Sequence, residues 1–154
     1  MKLDKIDHAI LEFLQKNGKI SNVELAAIVG LSESACLRRV KNLDDRGVIT
    51  HYAAHLSAAA VGLPGTVFVR VSLENQQEEK LHQFEAAVKD VREVMECYLM
   101  SGDVDYMIRV VVKDTSDYER IHNILTRLPG VDRVHSSFAL RSVLKRTRLP
   151  LIKP

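Results

Sequence analysis

The sequence contains no hydrophobic run of about 18 residues, the length that a membrane-spanning helix requires. The opening stretch MKLDKIDHAILEFL carries acidic side chains where a secretory signal peptide would be basic and then apolar. Cysteine is scarce too, since only Cys36 and Cys97 occur and no CxxC spacing is present. These absences argue against a membrane protein, a disulfide framework and a zinc ribbon, and we expect a cytoplasmic protein.

The composition is that of a folded protein, with 46% apolar and 27% charged residues among 154. Its charge is unevenly distributed along the chain. Residues 1–62 hold 8 basic and 7 acidic side chains, residues 63–140 hold 9 and 13, and residues 141–154 hold 5 and none. The acidic middle is a poor surface for a polyanion, whereas the first third can bind one if its basic side chains share a face.

Three amphipathic helices are predicted between residues 4 and 47, because apolar side chains recur there at helical spacing. The predicted N-caps are Asp4, Ser21 and Ser32, and the predicted stops are Gly30 and Gly47. The second and third helices are short and joined by a tight turn. This arrangement indicates a helix-turn-helix motif, whose second helix binds DNA.

The third predicted helix separates its charged residues from its apolar ones. Arg38 and Lys41 lie on a face away from the apolar stripe, with Arg39 beside them. Arginine can bond to a guanine edge, and either cation can contact phosphate, although many solvated helices carry similar charges. We therefore predict binding to double-stranded DNA. The candidate contacts are Ser32, Ser34, Arg38, Arg39 and Lys41.

A strand is predicted at residues 48–56, VITHYAAHL, as the wing behind the recognition helix. The clustered Gly/Pro break VGLPG at residues 61–65 then marks a domain boundary. The predicted domains are a winged helix-turn-helix with its linker strand at residues 1–62, a second domain at 63–141 and a basic C-terminal tail at 142–154. The tail is interpreted either as an extra phosphate contact or as a solvated segment.

The second domain alternates strand and helix patterns twice, from GTVFVRVSLE and EKLHQFEAAV to DYMIRVVV and YERIHNILTRL. The resulting order, βαββαβ, predicts a ferredoxin-like sandwich and makes the whole chain α+β. In the second strand, Met95, Cys97 and Leu99 are predicted to face away from Val94, Tyr98 and Met100. Apolar residues on both faces favour a homodimer that forms through the sheet.

The loop SGDVDY, Ser101–Tyr106, joins the two halves of this domain and supports two hypotheses. A plain hairpin turn needs only Gly102 and one aspartate. Alternatively, a free amino acid could pair its ammonium with Asp103 or Asp105 and its carboxylate with N–H groups near Gly102. The candidate effector-binding residues are Tyr98, Met100, Gly102, Asp103, Asp105 and Tyr106.

Four segments together resemble the Lrp/AsnC family of feast/famine transcription regulators, and the resemblance covers nearly the whole chain. They are LDKIDHAILEFLQKNGK, VELAAIVGLSESACLRRVKNLDDRGVI, SGDVDYMIRV and LKRTRLPL. The resemblance implies a winged helix-turn-helix joined to an amino-acid-binding βαββαβ domain, assembly as dimers and often octamers, and an effector at the Ser101–Tyr106 loop between dimers. Val104 and Arg148 depart from the family pattern, which bears on the identity of the effector.

Two other functional classes fit the sequence less well. An enzyme is disfavoured because no spacing places a base beside a nucleophile, and Cys97 lies in an apolar strand. No catalytic residue, metal ligand or cofactor is therefore predicted. The remaining alternative is an architectural DNA-organising protein of the same fold without a small-molecule effector, which would show no ligand-dependent change in DNA affinity or oligomer size.

Overall fold

A computed structural model of the chain describes residues 3–152. The chain divides into two compact units. The helical unit contains residues 3–55 and 143–152, and the sheet unit contains residues 56–142. The division therefore lies ahead of the predicted break at 61–65, and the C-terminal segment belongs with the helices rather than standing apart. No helix within residues 3–152 is long and apolar enough to cross a membrane.

The helical unit contains α1 (Lys5–Leu14), α2 (Asn22–Val29) and α3 (Glu33–Asp45), as the capping pattern predicts. Asp4 and Ser21 both form capping boxes, and the Ser32 hydroxyl accepts a hydrogen bond from the Ala35 N–H at 3.3 Å. Gly30 ends α2 with a φ of +71°, which glycine adopts without steric cost. The core joins all three helices through Ile10, Leu11, Leu25, Ala26, Cys36 and Leu43.

The sheet unit has the predicted βαββαβ order. Its elements are β1 (Gly65–Leu73), α4 (Glu78–Val88), β2 (Val94–Leu99), β3 (Tyr106–Val112), α5 (Thr115–Leu125) and β4 (Val131–Phe138). The strands form one antiparallel sheet in the order β2-β3-β1-β4. Phe84 of α4 and Ile121 of α5 share one core with alternate residues of β1 and β3, so both helices cover the same face. The opposite face is called the outer face below.

The predicted facing of β2 is wrong in part. A β-bulge between Val94 and Glu96 shifts the pairing by one residue. Val94 therefore pairs with Val110, and Cys97 pairs with Ile108, so both lie on the helix-covered face. Strict alternation along the sequence does not reveal an extra residue in one strand, and it placed Val94 and Cys97 on opposite faces.

The strand predicted for residues 48–56 is not formed. This segment has no regular structure, and residues 50–56 are exposed. A strand requires a hydrogen-bonded neighbour, and the four strands of the sheet lie in the other unit. Sequence alternation alone therefore misassigned the segment.

Candidate DNA interface and effector site

The surface of α3 carries basic and polar side chains that point away from the core. Cys36 and Leu43 are fully buried, whereas Ser34, Arg38 and Lys41 are exposed. Within residues 3–152, neither Arg38 nor Lys41 forms an ion pair. Their charges are therefore available to a nucleic acid, as helical periodicity predicts.

Leu37 belongs to the same surface, but sequence reasoning missed it. Its side chain is 50% exposed and lies three residues after Ser34 and four before Lys41. An exposed leucine among cations suits contact with the methyl group of thymine. The spacing was visible in the sequence, but a search for charged residues passed over it. We call Ser34, Leu37, Arg38 and Lys41 the recognition face.

Arg39 has a different environment from its neighbour Arg38. Its guanidinium donates to the carboxylates of Asp4 and Asp7, each at 2.8 Å, and its side chain is 32% exposed. These two hydrogen bonds raise the pKa of Arg39, with Asp4 contributing more than Asp7. The pKa of Asp4 is lowered by the Asp7 N–H and then by Arg39. Arg39 thus links α3 to the start of α1, and the structure gives it a positioning role.

The six candidate effector residues fall into two groups. Tyr98, Met100 and Asp103 are exposed, and Gly102 has a φ of +146° that favours glycine. Within the described part of the chain, Asp103 forms no ion pair. This first group leaves a carboxylate and apolar side chains open at the turn between β2 and β3. We call residues 100–105 the hairpin loop.

Asp105 supports the fold instead of lying open to a ligand. It is 7% exposed, and its carboxylate accepts hydrogen bonds from the Leu73 N–H and the Gln76 side-chain amide, both at 2.7 Å. Its backbone N–H also donates to the Val71 carbonyl at 3.0 Å. Because both carboxylate oxygens are engaged, Asp105 anchors the hairpin loop to β1 and is a poor partner for an incoming ammonium.

Tyr106 is likewise part of the core. It is 1% exposed, and its ring centroid lies 4.5 Å from that of Phe84. Its hydroxyl donates to Glu85 at 2.9 Å, and burial followed by this bond raises the pKa of Tyr106. The side chain holds α4 against β3 and is closed to an effector.

Two exposed apolar residues of β2 were not among the candidates. Met95 occupies the bulge and Leu99 ends the strand, and both are about half exposed. Tyr98 pairs with Met107 on the outer face, whereas Leu99 pairs with Tyr106 on the other face. The structure therefore does not bring Tyr98 and Leu99 onto one surface. The sequence feature that could have indicated Leu99 is the run of consecutive apolar residues Tyr98–Met100 beside the loop.

Cys97 does not have the character of a nucleophile. Burial, with a further contribution from Glu85, raises the pKa of its thiol to about 11. The thiol therefore stays protonated near neutral pH. Residues 3–152 also contain no group of three or more His, Cys, Asp or Glu side chains arranged to hold a metal ion.

Two known protein families match the chain, one over most of the helical unit and one over the sheet unit and the first residues of the C-terminal segment. Residues 3–50 match the family described as winged helix-turn-helix DNA-binding. Residues 66–149 match the family described as Lrp/AsnC ligand binding domain. The chain belongs to the Lrp/AsnC family. It is a transcription regulator with a DNA-binding helix-turn-helix and a ligand-binding domain, and it is not an enzyme.

Similarity to individual Lrp/AsnC proteins extends over nearly the whole chain. The Bkd operon transcriptional regulator of Pseudomonas aeruginosa is 44% identical over 97% of this chain and 99% of its own. The leucine-responsive regulatory protein of Escherichia coli K12 is 40% identical over 96% and 90%. A Neisseria meningitidis transcriptional regulator, solved as a crystal structure in complex with L-Met, has 38% sequence identity to this chain. The two structures align over 97% of each chain with a TM-score of 0.91.

Proposed function

We propose that this Lrp/AsnC regulator binds operator DNA through the recognition face and responds to an amino acid with an apolar side chain at the hairpin loop. One observation carries the proposal: the carboxylate of Asp103, which forms no ion pair among the described residues, and apolar side chains are exposed at the same loop. That loop lies in the part of the chain that matches a ligand-binding domain. The regulator acts in the cytoplasm, where a chromosome-binding protein meets both DNA and free amino acids.

On the DNA side, Arg38 supplies the base contact and Lys41 neutralises a phosphate. Ser34 bonds to phosphate or base, and Leu37 packs against thymine methyl groups. Ser32 caps the positive end of α3, where a phosphate is favoured. Arg39 is left out of the contact set, because its two carboxylate partners already occupy it.

On the effector side, Asp103 pairs with the ammonium of the amino acid, and N–H groups beside Gly102 bond to its carboxylate. Tyr98 and Met100 contact its apolar side chain. The names of the relatives support this ligand class, since one protein is leucine-responsive and a solved neighbour carries L-Met. The loop is open in a single chain, so a neighbouring copy completes the site.

Assembly begins with a homodimer formed through the outer face of the sheet. Phe68 and Met107 lie on that face by register, and Phe68 is 42% exposed. Burying such a patch against a second copy removes apolar surface from water. Dimers then associate further, as an octamer, through contacts at the hairpin loops, which allows an effector there to shift the assembly.

The test is calorimetric titration of leucine and methionine into the full-length protein. Asp103→Asn keeps the shape of the side chain and removes its charge, so we expect at least about a tenfold loss of affinity. Asp132→Asn, a change of an exposed carboxylate in β4, is the matched control and leaves the affinity unchanged. Equal affinity in Asp103→Asn and the parent would place the effector elsewhere.

The architectural alternative predicts a different result. In that case the parent binds none of the twenty amino acids, and its oligomer size and DNA affinity stay constant when they are added. Sedimentation velocity with and without the amino acids measures oligomer size directly. The DNA-binding part of the proposal survives such an outcome, and the effector part does not.

A further inference from the structure

The C-terminal segment, residues 143–152, returns to the first helix of the chain. The Leu149 N–H donates to the side-chain oxygen of Gln15 at 2.6 Å, and the Gln15 amide donates to the Leu149 carbonyl at 3.3 Å. Leu151 also packs against the helical core. A freely solvated tail makes neither a reciprocal pair of hydrogen bonds nor an apolar contact, so this segment has a defined position on the helical unit.

This position changes the charge of the helical unit. Residues 3–55 hold seven basic and seven acidic side chains, so they carry no net charge. The C-terminal segment adds Lys145, Arg146 and Arg148 and no acidic residue. Arg141 lies in the sheet unit, and Lys153 lies outside the described residues. The segment therefore supplies the whole net positive charge of the described helical unit.

The three cations of the segment are available to a ligand. Lys145, Arg146 and Arg148 are exposed, and none forms an ion pair within residues 3–152. The anchor residue Gln15 follows Leu14, which lines an open groove together with Leu37 and Lys41 of α3. The segment is thus attached at the C-terminal end of α1, next to a residue that shares a groove with α3.

We infer that Lys145, Arg146 and Arg148 form a second DNA-contact element, which binds backbone phosphates beside the site read by α3. Affinity for duplex DNA depends on the number of phosphates that a protein neutralises, and residues 3–55, which carry no net charge, offer few cations for this beyond the recognition face. The segment provides it without adding base specificity. This inference rests on the proposed role of the recognition face.

The test compares two full-length triple variants with the same change in charge. One is Lys145→Gln/Arg146→Gln/Arg148→Gln, and the control removes three exposed cations of the sheet unit. The control variant is Lys89→Gln/Arg92→Gln/Arg127→Gln. Binding is measured over a salt series to a duplex selected in vitro with the parent protein and to a scrambled duplex of equal length.

For the C-terminal variant, we expect the slope of log affinity against log salt to fall by about 2 to 3 on both duplexes, at about 0.9 per phosphate contact. The ratio of specific to scrambled affinity stays unchanged, and the control variant keeps the parent slope. Gln15→Ala, which keeps every charge but removes the anchor, gives an intermediate loss. A parent-like slope in the C-terminal variant, or equal losses in both triple variants, overturns the inference.

Two further measurements distinguish phosphate contact by the segment from base recognition by α3 and from binding to a lipid surface. Arg38→Ala in the same assay tests the recognition face, because that change alters the specific-to-scrambled ratio whatever the segment does. Vesicles containing phosphatidylserine test a membrane as the anionic partner. If they bind the parent but not the C-terminal variant while the DNA slope is unchanged, the segment contacts lipid and the inference is wrong.

Discussion

The helical unit and the sheet unit use their candidate binding residues differently. Of the three candidate cations in the helical unit, Arg38 and Lys41 are exposed and form no ion pair among the described residues, and only Arg39 is paired with carboxylates. In the sheet unit, Asp105 and Tyr106 are buried and hydrogen-bonded. A helix presents one face to solvent along its whole length, whereas a hairpin loop sends neighbouring residues to opposite environments. Residue type alone is therefore a safer guide to function on the helix.

The largest expected effect concerns the proposed homodimer. Phe68→Asp places a charge on the outer face, and burying it unpaired against a second copy is costly. We expect the proposed dimer to dissociate and DNA affinity to fall by about 10²-fold, because a monomer presents only one recognition helix. Ile124→Asp, on an exposed position of α5, is the matched control. Sedimentation equilibrium that shows a parent-like dimer for Phe68→Asp would exclude the outer face as the interface.

The second prediction tests the division within the hairpin loop. Asp105→Ala removes two hydrogen bonds and leaves the Leu73 N–H without its partner, so we expect a loss of about 2 to 3 kcal/mol in the free energy of unfolding. Asp103→Ala, at an exposed position, changes it by less than about 0.5 kcal/mol. Urea unfolding measures both. Equal stability of the two variants would remove the structural role assigned to Asp105.

The third prediction separates two cations of the recognition face. Arg38→Ala weakens binding to the selected duplex by about 1 to 3 kcal/mol and lowers its preference over scrambled DNA. Lys41→Ala weakens binding to both duplexes alike and lowers the salt slope by about one. Fluorescence anisotropy over a salt series measures both effects. If Arg38→Ala keeps the parent preference, Arg38 contacts phosphate and not a base.

The smallest effect is expected for Arg39→Ala, which tests stability rather than recognition. The Asp7 N–H and, to a smaller extent, Arg39 lower the pKa of Asp4 below its ordinary value of 3.8. A lowered carboxyl pKa means that the interaction stabilises the fold above that value and is lost as the pH falls through the folded-state pKa. The variant is therefore slightly less stable than the parent at pH 7. The stabilities of the variant and the parent become equal once the pH is below the folded-state pKa of Asp4. Thermal unfolding at pH 7 and in acid measures the difference. A difference that is the same at both pH values would show that the ion pairs are not its cause.

Local signals in the sequence predicted much of the architecture correctly. Asp4, Ser21 and Ser32 cap their helices as expected, because a cap depends on residues only two or three positions away. The βαββαβ order followed from periodicity alone. The strand predicted at residues 48–56 failed, since strand formation needs a partner that the sequence pattern does not name.

The amino-acid sequence by itself determined the order of elements, the exposed cations of α3 and the family. Tertiary structure decided which charged residues remain free. It paired Arg39 with Asp4 and Asp7 and attached Leu149 to Gln15 across 134 residues. It also enclosed Asp105 beneath the end of β1. Periodicity and capping act over a few residues and can be recognised in the sequence, whereas these contacts join segments whose proximity exists only after the chain has folded.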